Sequence, residues 1–307
     1  PTHPRVGSTR ASHSMTQKSP VVLAAMAYTL MAMCSFAVLD TTNKFLFATV
    51  PLLMVLWFRY MFQAVITTAV MWPKHGRTLF RAHNYKLQIV RGMLLLLCSA
   101  LAFFSLLRMP VAEFTAINML TPLVVTLLAH FVLKEQVSRM RWMFVSGGLL
   151  GALLIVRPGG SVEANWVWVP LTLVVTNALF QILTSHMAKS ETPTTTHTYT
   201  SWVGALLTSV LVYTAWTTEL TAMEWGLMCL SGIAGSVGHM MLIVAFTRAP
   251  ASEVTPYLYS GVAFATLAGW LVFAHVPDGL AFTGMALIVG CGWGAAWLSR
   301  RETSAST

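Results

Sequence analysis

Side chains able to bind or transfer anything are few in this chain, and most stand inside or at the edge of an apolar run. Asp40 closes the first such run, with Lys44 one turn on. That spacing suits an i,i+4 ion pair at the outer edge of a membrane, or a proton or cation site. Arg59 lies seven residues into the second run. At 1.5 Å per residue that is about 10 Å from its end, near the limit of snorkelling. It suits a structural pairing or the capture of an anionic substrate. Glu113 and Glu253 each follow a proline by one turn (Pro110 and Pro250), with Arg108 and Arg248 just upstream. A carboxylate there satisfies free amide donors and the helix dipole, with the nearby arginine as its partner; proton coupling is the alternative.

Deeper groups complete the candidates. Asn118 precedes Thr121-Pro122, while Tyr257, Tyr259 and Ser260 follow Pro256. Each proline frees backbone carbonyls within its helix. Asn177, Gln181 and His186 recur at spacings of four and five, and His239 lies among small residues. Phe36, Phe103, Phe180 and Tyr257 can supply a flat apolar wall. Polar groups within spans are costly and usually face an interior, although any single one is more often packing than ligand. The candidate substrate-binding set is therefore Phe36, Asp40, Phe103, Asn118, Asn177, Phe180, Gln181, His239, Tyr257 and Tyr259. Arg59, Arg108, Glu113, Arg248 and Glu253 form a second set, of structural or coupling ion pairs.

Catalysis finds no support in these residues. There is no HExxH, no GxGD aspartyl signature and no Walker motif. Ser231-Gly232 and Ser260-Gly261 lack the flanking glycine of a Gly-x-Ser-x-Gly elbow. Cys34, Cys98, Cys229 and Cys291 form no CxxC or Cys/His spacing and read as small core residues. Neither a cofactor nor a metal is expected, and an enzyme is not expected.

The elements that position these groups follow from composition. Of 307 residues, 56% are apolar and 9% charged, with mean hydropathy +0.68. A soluble chain carries about 25% charged residues, so lipid must cover this surface. The net charge of +9 does not imply nucleic acid, because the basic residues sit in short gaps between apolar runs. About 20 apolar residues span about 30 Å of hydrocarbon. Ten runs qualify: 21–39, 52–72, 89–107, 111–133, 140–156, 166–187, 199–216, 223–246, 254–275 and 280–298. Breakers such as Pro51, Pro73, Pro110, Pro158, Pro193, Pro250 and Pro277 separate them. With both termini cytoplasmic, fifteen basic residues, Arg91 among them, fall inside. Lys44, Arg108 and Arg157 fall outside, which is the expected segregation. Met15-Thr-Gln-Lys reads as a natural start, with residues 1–14 outside the natural chain.

Shifting the chain by 140 residues aligns Arg108/Arg248, Pro110/Pro250, Glu113/Glu253 and Thr115/Thr255. An Arg-x-Pro-x-x-Glu-x-Thr match is rare by chance. Two copies of five helices, an odd number, must enter the membrane in opposite senses, a recurring feature of secondary transporters. Gly147/Gly151 and Gly290/Gly294 form GxxxG pairs at matched places, suited to close helix packing. The expected fold class is an all-α membrane protein of ten transmembrane helices in two inverted five-helix repeats (5+5).

These residues resemble the EamA-type branch of the drug/metabolite transporter superfamily. The likeness rests on the 5+5 arrangement, the Arg-x-Pro-x-x-Glu-x-Thr joint, Trp57-Phe58-Arg59-Tyr60 and Leu133-Lys134-Glu135. One departure is that Ala274-His275 stands where the second half would often repeat an acidic residue. The resemblance implies repeat 1 over 20–157 and repeat 2 over 165–299. A disordered cytoplasmic tail at 1–19 and a cytoplasmic tail at 300–307 flank them. It also implies a central cavity lined mainly by spans 1, 3, 4, 6, 8 and 9. The implied function is secondary transport by alternating access in a bacterial inner membrane. Family substrates include amino acids, nucleosides, vitamins, S-adenosylmethionine and sugar phosphates, and members export or import. The stretch 55–64 looks most like members that carry vitamins or other cofactor-like metabolites. The expected partners are a small-molecule substrate and membrane lipid, not nucleic acid. An amino-acid or drug exporter is the alternative within the family; a channel or non-transporting scaffold is the alternative outside it. Proton coupling and the choice between monomer and dimer stay open.

Overall fold

The computed structural model describes residues 18–108, 117–156, 166–273 and 278–305, and these are almost wholly helical, with no strand among the described residues. The helices are α1 (Lys18–Leu46), α2 (Leu52–His75), α3 (Tyr85–Arg108), α4 (Thr121–Val132), α5 (Arg139–Val156) and α6 (Trp168–Met187). They continue as α7 (Pro193–Val212), α8 (Ala222–Arg248), α9 (Ala251–Leu258), α10 (Ser260–Phe273) and α11 (Gly279–Ala305). By length and composition, Val21–Leu46, Leu52–Phe80, Tyr85–Ala102, Trp168–Met187 and Ala222–Arg248 can each cross a membrane. Large apolar side chains such as Phe131, Val210 and Leu271 stand outward at 68%, 66% and 79% exposure. Outward leucine and phenylalanine at that density suit lipid rather than water.

Several boundaries differ from the sequence expectation: α3 starts at Tyr85 rather than 89, α11 runs to Ala305 rather than 298, and two more bear on the site. The first run was expected to close at residue 39, but α1 continues to Leu46, so Asp40 lies within the helix rather than at its end. The seventh span was expected from residue 199, yet α7 begins at Pro193. Thr192 caps it by accepting from the Thr195 amide, and proline suits the first helical position. Its threonines look like a loop in sequence. Inside the helix their hydroxyls donate to the carbonyl four residues back, as Thr198 does to Thr194 and Thr200 to Thr196.

Packing follows the small residues. α1 lies along α8, and α2 packs on α7 and α8. α5 lies along α11, where a Cβ on Gly151 would come within 2.7 Å of the Gly284 carbonyl oxygen. Only hydrogen fits there. Gly147 and Gly294 serve the same seam, against Cys291 and Phe144. Gly290, expected to share that role, faces open space. The 251–273 segment is interrupted: α9 carries Pro256, ends at Leu258, and the chain resumes as α10 at Ser260. The Ser260 hydroxyl donates to the Tyr257 carbonyl across the break.

Candidate functional site

α1, α2, α6 and α8 bring together five of the residues singled out in the sequence. Phe36 and Asp40 share a face of α1, one turn apart. The Phe36 ring meets the His239 ring of α8 edge-on, with centroids 4.8 Å apart. Gly238 makes this possible, since a Cβ there would lie 2.6 Å from the Phe36 ring. His239 also meets Phe180 of α6, 6.4 Å between centroids. Phe36, Arg59, Asn177 and His239 are half-buried, whereas Asp40 is exposed. The result is an aromatic surface with polar groups at its border.

Arg59 reaches the same region from α2, its aliphatic stem beside Gly235 of α8. One Nη donates to the Ser99 hydroxyl on α3 at 3.0 Å, and the guanidinium lies 4.8 Å from the Tyr60 ring centroid. Its Nε–H is buried with no acceptor. The Asp40 carboxylate is near enough to interact electrostatically with Arg59, and no ion pair within 4.0 Å joins them among the described residues. An anionic and a cationic side chain thus border the aromatic rings with hydrogen-bonding capacity left over.

Behind Phe180 lies a polar layer that sequence reasoning missed. Arg91, expected among the loop-flanking charges, is 1% exposed and stands inside the bundle. Its Nε donates to the Thr184 hydroxyl at 2.8 Å, an Nη donates to Thr200, and its guanidinium lies 4.5 Å from the Phe180 ring centroid. No carboxylate pairs with it among the described residues. Beside it, Gln88 donates to Thr196 at 3.4 Å. Gln63 meets the His197 ring at 3.4 Å, and the His197 Nε2 lies 3.1 Å from the Ser236 hydroxyl. The amide oxygens of Gln63 and Gln88 are buried without donors. The signal was the Thr-Thr-Thr-His-Thr-Tyr-Thr run at 194–200, a helical face of hydroxyls matching a basic residue in the third apolar run.

A second polar cluster joins α4, α5 and α9. Arg141 donates to Glu253 at 2.9 Å and to the Ser252 hydroxyl at 3.2 Å. Glu135 accepts from the Ala251 and Ser252 amides at 3.1 and 3.0 Å, capping α9. Lys134, in the left-handed region at φ 55°, turns the chain so that Glu135 points there. The expected partner of Glu253 was Arg248. Instead Arg248 ends α8 with its guanidinium 4.7 Å from the Tyr28 ring centroid. Arg108 similarly lies over Trp166, at 4.5 Å.

The remaining candidates are dispersed. Tyr259 is fully buried among Val145, Ala152, Val262 and Ile288, against Gly148, so it packs α5 and α11 rather than joining Phe36 and His239. Tyr257 also turns toward α11, near Gly292. Asn118 accepts from the Thr121 hydroxyl at 3.2 Å, and Gln181 donates to Asn177 at 3.2 Å. The Phe103 side chain and Glu113 lie outside the described residues. Among the described residues no group of three or more His, Cys, Asp or Glu is placed to hold a metal.

Residues 23–157 match the EamA-like transporter family. The pseudopaline exporter of Pseudomonas aeruginosa is 28% identical over 277 residues, covering 89% of this chain and 94% of its own. The S-adenosylmethionine uptake transporter of Rickettsia felis is 22% identical, covering 87% of this chain and 90% of its own. The riboflavin transporter of Brucella anthropi is 22% identical, covering 84% and 91%. One solved crystal structure superposes with a TM-score of 0.78 at 16% identity, over 92% of this chain and 100% of its own, a likeness of fold. The resemblance to EamA-type drug/metabolite transporters read from the motifs therefore stands, and the comparisons point to a transporter, not an enzyme.

Proposed function

We propose that this chain is a secondary carrier in the bacterial inner membrane that moves a small polar or aromatic metabolite by alternating access. In this reading ten helices form two five-helix repeats of opposite sense, with both termini cytoplasmic and the substrate held between them. The observation that carries it is the convergence of Phe36, His239 and Phe180 with Asp40 and Arg59 on four long helices. Such side chains inside a lipid-facing bundle are retained at a cost and mark a pathway. The relatives' names lend support and cover both directions, one exporter and one uptake transporter. The names span riboflavin, S-adenosylmethionine and pseudopaline, so a vitamin-like or cofactor-like cargo and an amino-acid-like cargo are both in view.

Reconstitution of the full chain in proteoliposomes, with a panel of labelled vitamins, amino acids and S-adenosylmethionine, tests the proposal. The expected result is saturable flux of one class, faster when an imposed pH gradient drives it. Flux that rises linearly with concentration would instead make the protein a channel. No flux of any compound would leave a scaffold.

A further inference from the structure

The charges bordering the aromatic wall are of opposite sign and come from different helices, and this bears on what the wall holds. Asp40 on α1 is exposed, and no ion pair within 4.0 Å neutralises it among the described residues. Arg59 on α2 spends one donor on Ser99, while its buried Nε–H has no acceptor. A buried donor without an acceptor is costly, and in a bundle surrounded by lipid the cost is greater still. A guanidinium offers a planar fork suited to a carboxylate. The Phe36 and His239 rings stand in the same region, Phe36 one turn from Asp40 along α1 and Phe180 against His239. Arg91, behind Phe180 and without a carboxylate partner, adds positive field on the Arg59 side. A neutral ring compound would offer the buried Arg59 Nε–H no charged acceptor. A molecule with only one charge would be attracted by one of Asp40 and Arg59 and repelled by the other.

We infer that the site takes a zwitterion carrying an aromatic or heterocyclic group, its carboxylate on Arg59, its cationic group on Asp40 and its ring against Phe36 and His239. This inference rests on the carrier reading for its biological meaning, but it is a statement about binding. It selects the amino-acid-like class over neutral vitamins such as riboflavin. Phe180 then serves two purposes, closing the aromatic wall on one face and screening Arg91 from the ligand on the other.

Calorimetry on the detergent-purified full chain tests it with defined probes. Phenylalanine and S-adenosylmethionine carry both charges; 3-phenylpropionate lacks the cation, phenethylamine lacks the carboxylate, and riboflavin has neither group. Binding of at least one zwitterion is expected, with each singly charged counterpart weaker by about tenfold or more, the usual worth of a hydrogen bond to a charged group. Asp40→Asn should weaken the zwitterion about tenfold without weakening 3-phenylpropionate, which loses a like-charge neighbour, while Asp40→Glu restores binding. Arg59→Gln should weaken the zwitterion without weakening phenethylamine, which loses a like-charge neighbour. Riboflavin binding with no zwitterion bound, or zwitterion affinity indifferent to both variants, would overturn the inference. Zwitterion binding without saturable uptake in proteoliposomes sinks the carrier reading alone. Saturable riboflavin uptake unaltered in both variants sinks the zwitterion assignment alone.

Discussion

Arg91 and Arg141 are both nearly sealed inside the helix bundle, at 1% and 7% exposure, yet they are satisfied in opposite ways. Arg141 meets a carboxylate, Glu253, together with the Ser252 hydroxyl. Arg91 meets only hydroxyls, from Thr184 and Thr200, and the face of Phe180. The first arrangement is electrically closed and suits a structural tie between α5 and α9. The second leaves net positive charge next to the aromatic wall, which a purely structural site has no reason to keep. The contrast separates groups that hold the bundle together from groups that set its internal potential.

The largest expected effect tests the closed pair. Arg141→Met strands the Glu253 carboxylate and should lower stability by about 3 kcal/mol. Thermal unfolding in detergent reads this, and the double variant Arg141→Met/Glu253→Met should recover most of it. A double variant as unstable as the single one would mean that the charges were not tied to each other. Next comes Glu135→Gln, which removes charge from the cap on α9 and should cost about 1 kcal/mol. The smallest effect is expected at the open site: Arg91→Met loses hydrogen bonds but also an uncompensated charge, so stability should shift by less than about 1 kcal/mol. Its transport should nonetheless fall. If Arg91→Met unfolded the protein as readily as Arg141→Met, the two arginines would be the same kind of group.

Most of the helical layout was legible because the helices fall in apolar runs and prolines punctuate the gaps. Asp40 and Arg59 were legible as well, since a charge in such a run stands out. The pairing of Glu253 was not: its arginine lies 112 residues away along the chain, and only tertiary packing chooses it over Arg248. Arg91 was hidden by position, because a basic residue near the start of an apolar run looks like a membrane-surface anchor. The threonines of α7 that hold it look like a loop until their hydroxyls are seen returning to the helix backbone. Tyr259 misled in the other direction. A buried tyrosine beside a helix break reads as a binding group, but the adjoining glycine on α5 makes a slot for its ring.

The seam between α5 and α11 has one more consequence. Gly151 and Gly284 touch through their backbones, with no side chain between them to change rotamer or slide. Contact of that kind holds the two helices at close range, and the pair is expected to move as one unit. Probes placed across this seam, at Ser146 and Trp293 for example, should report a constant separation while the protein works, and movement elsewhere can be measured from it.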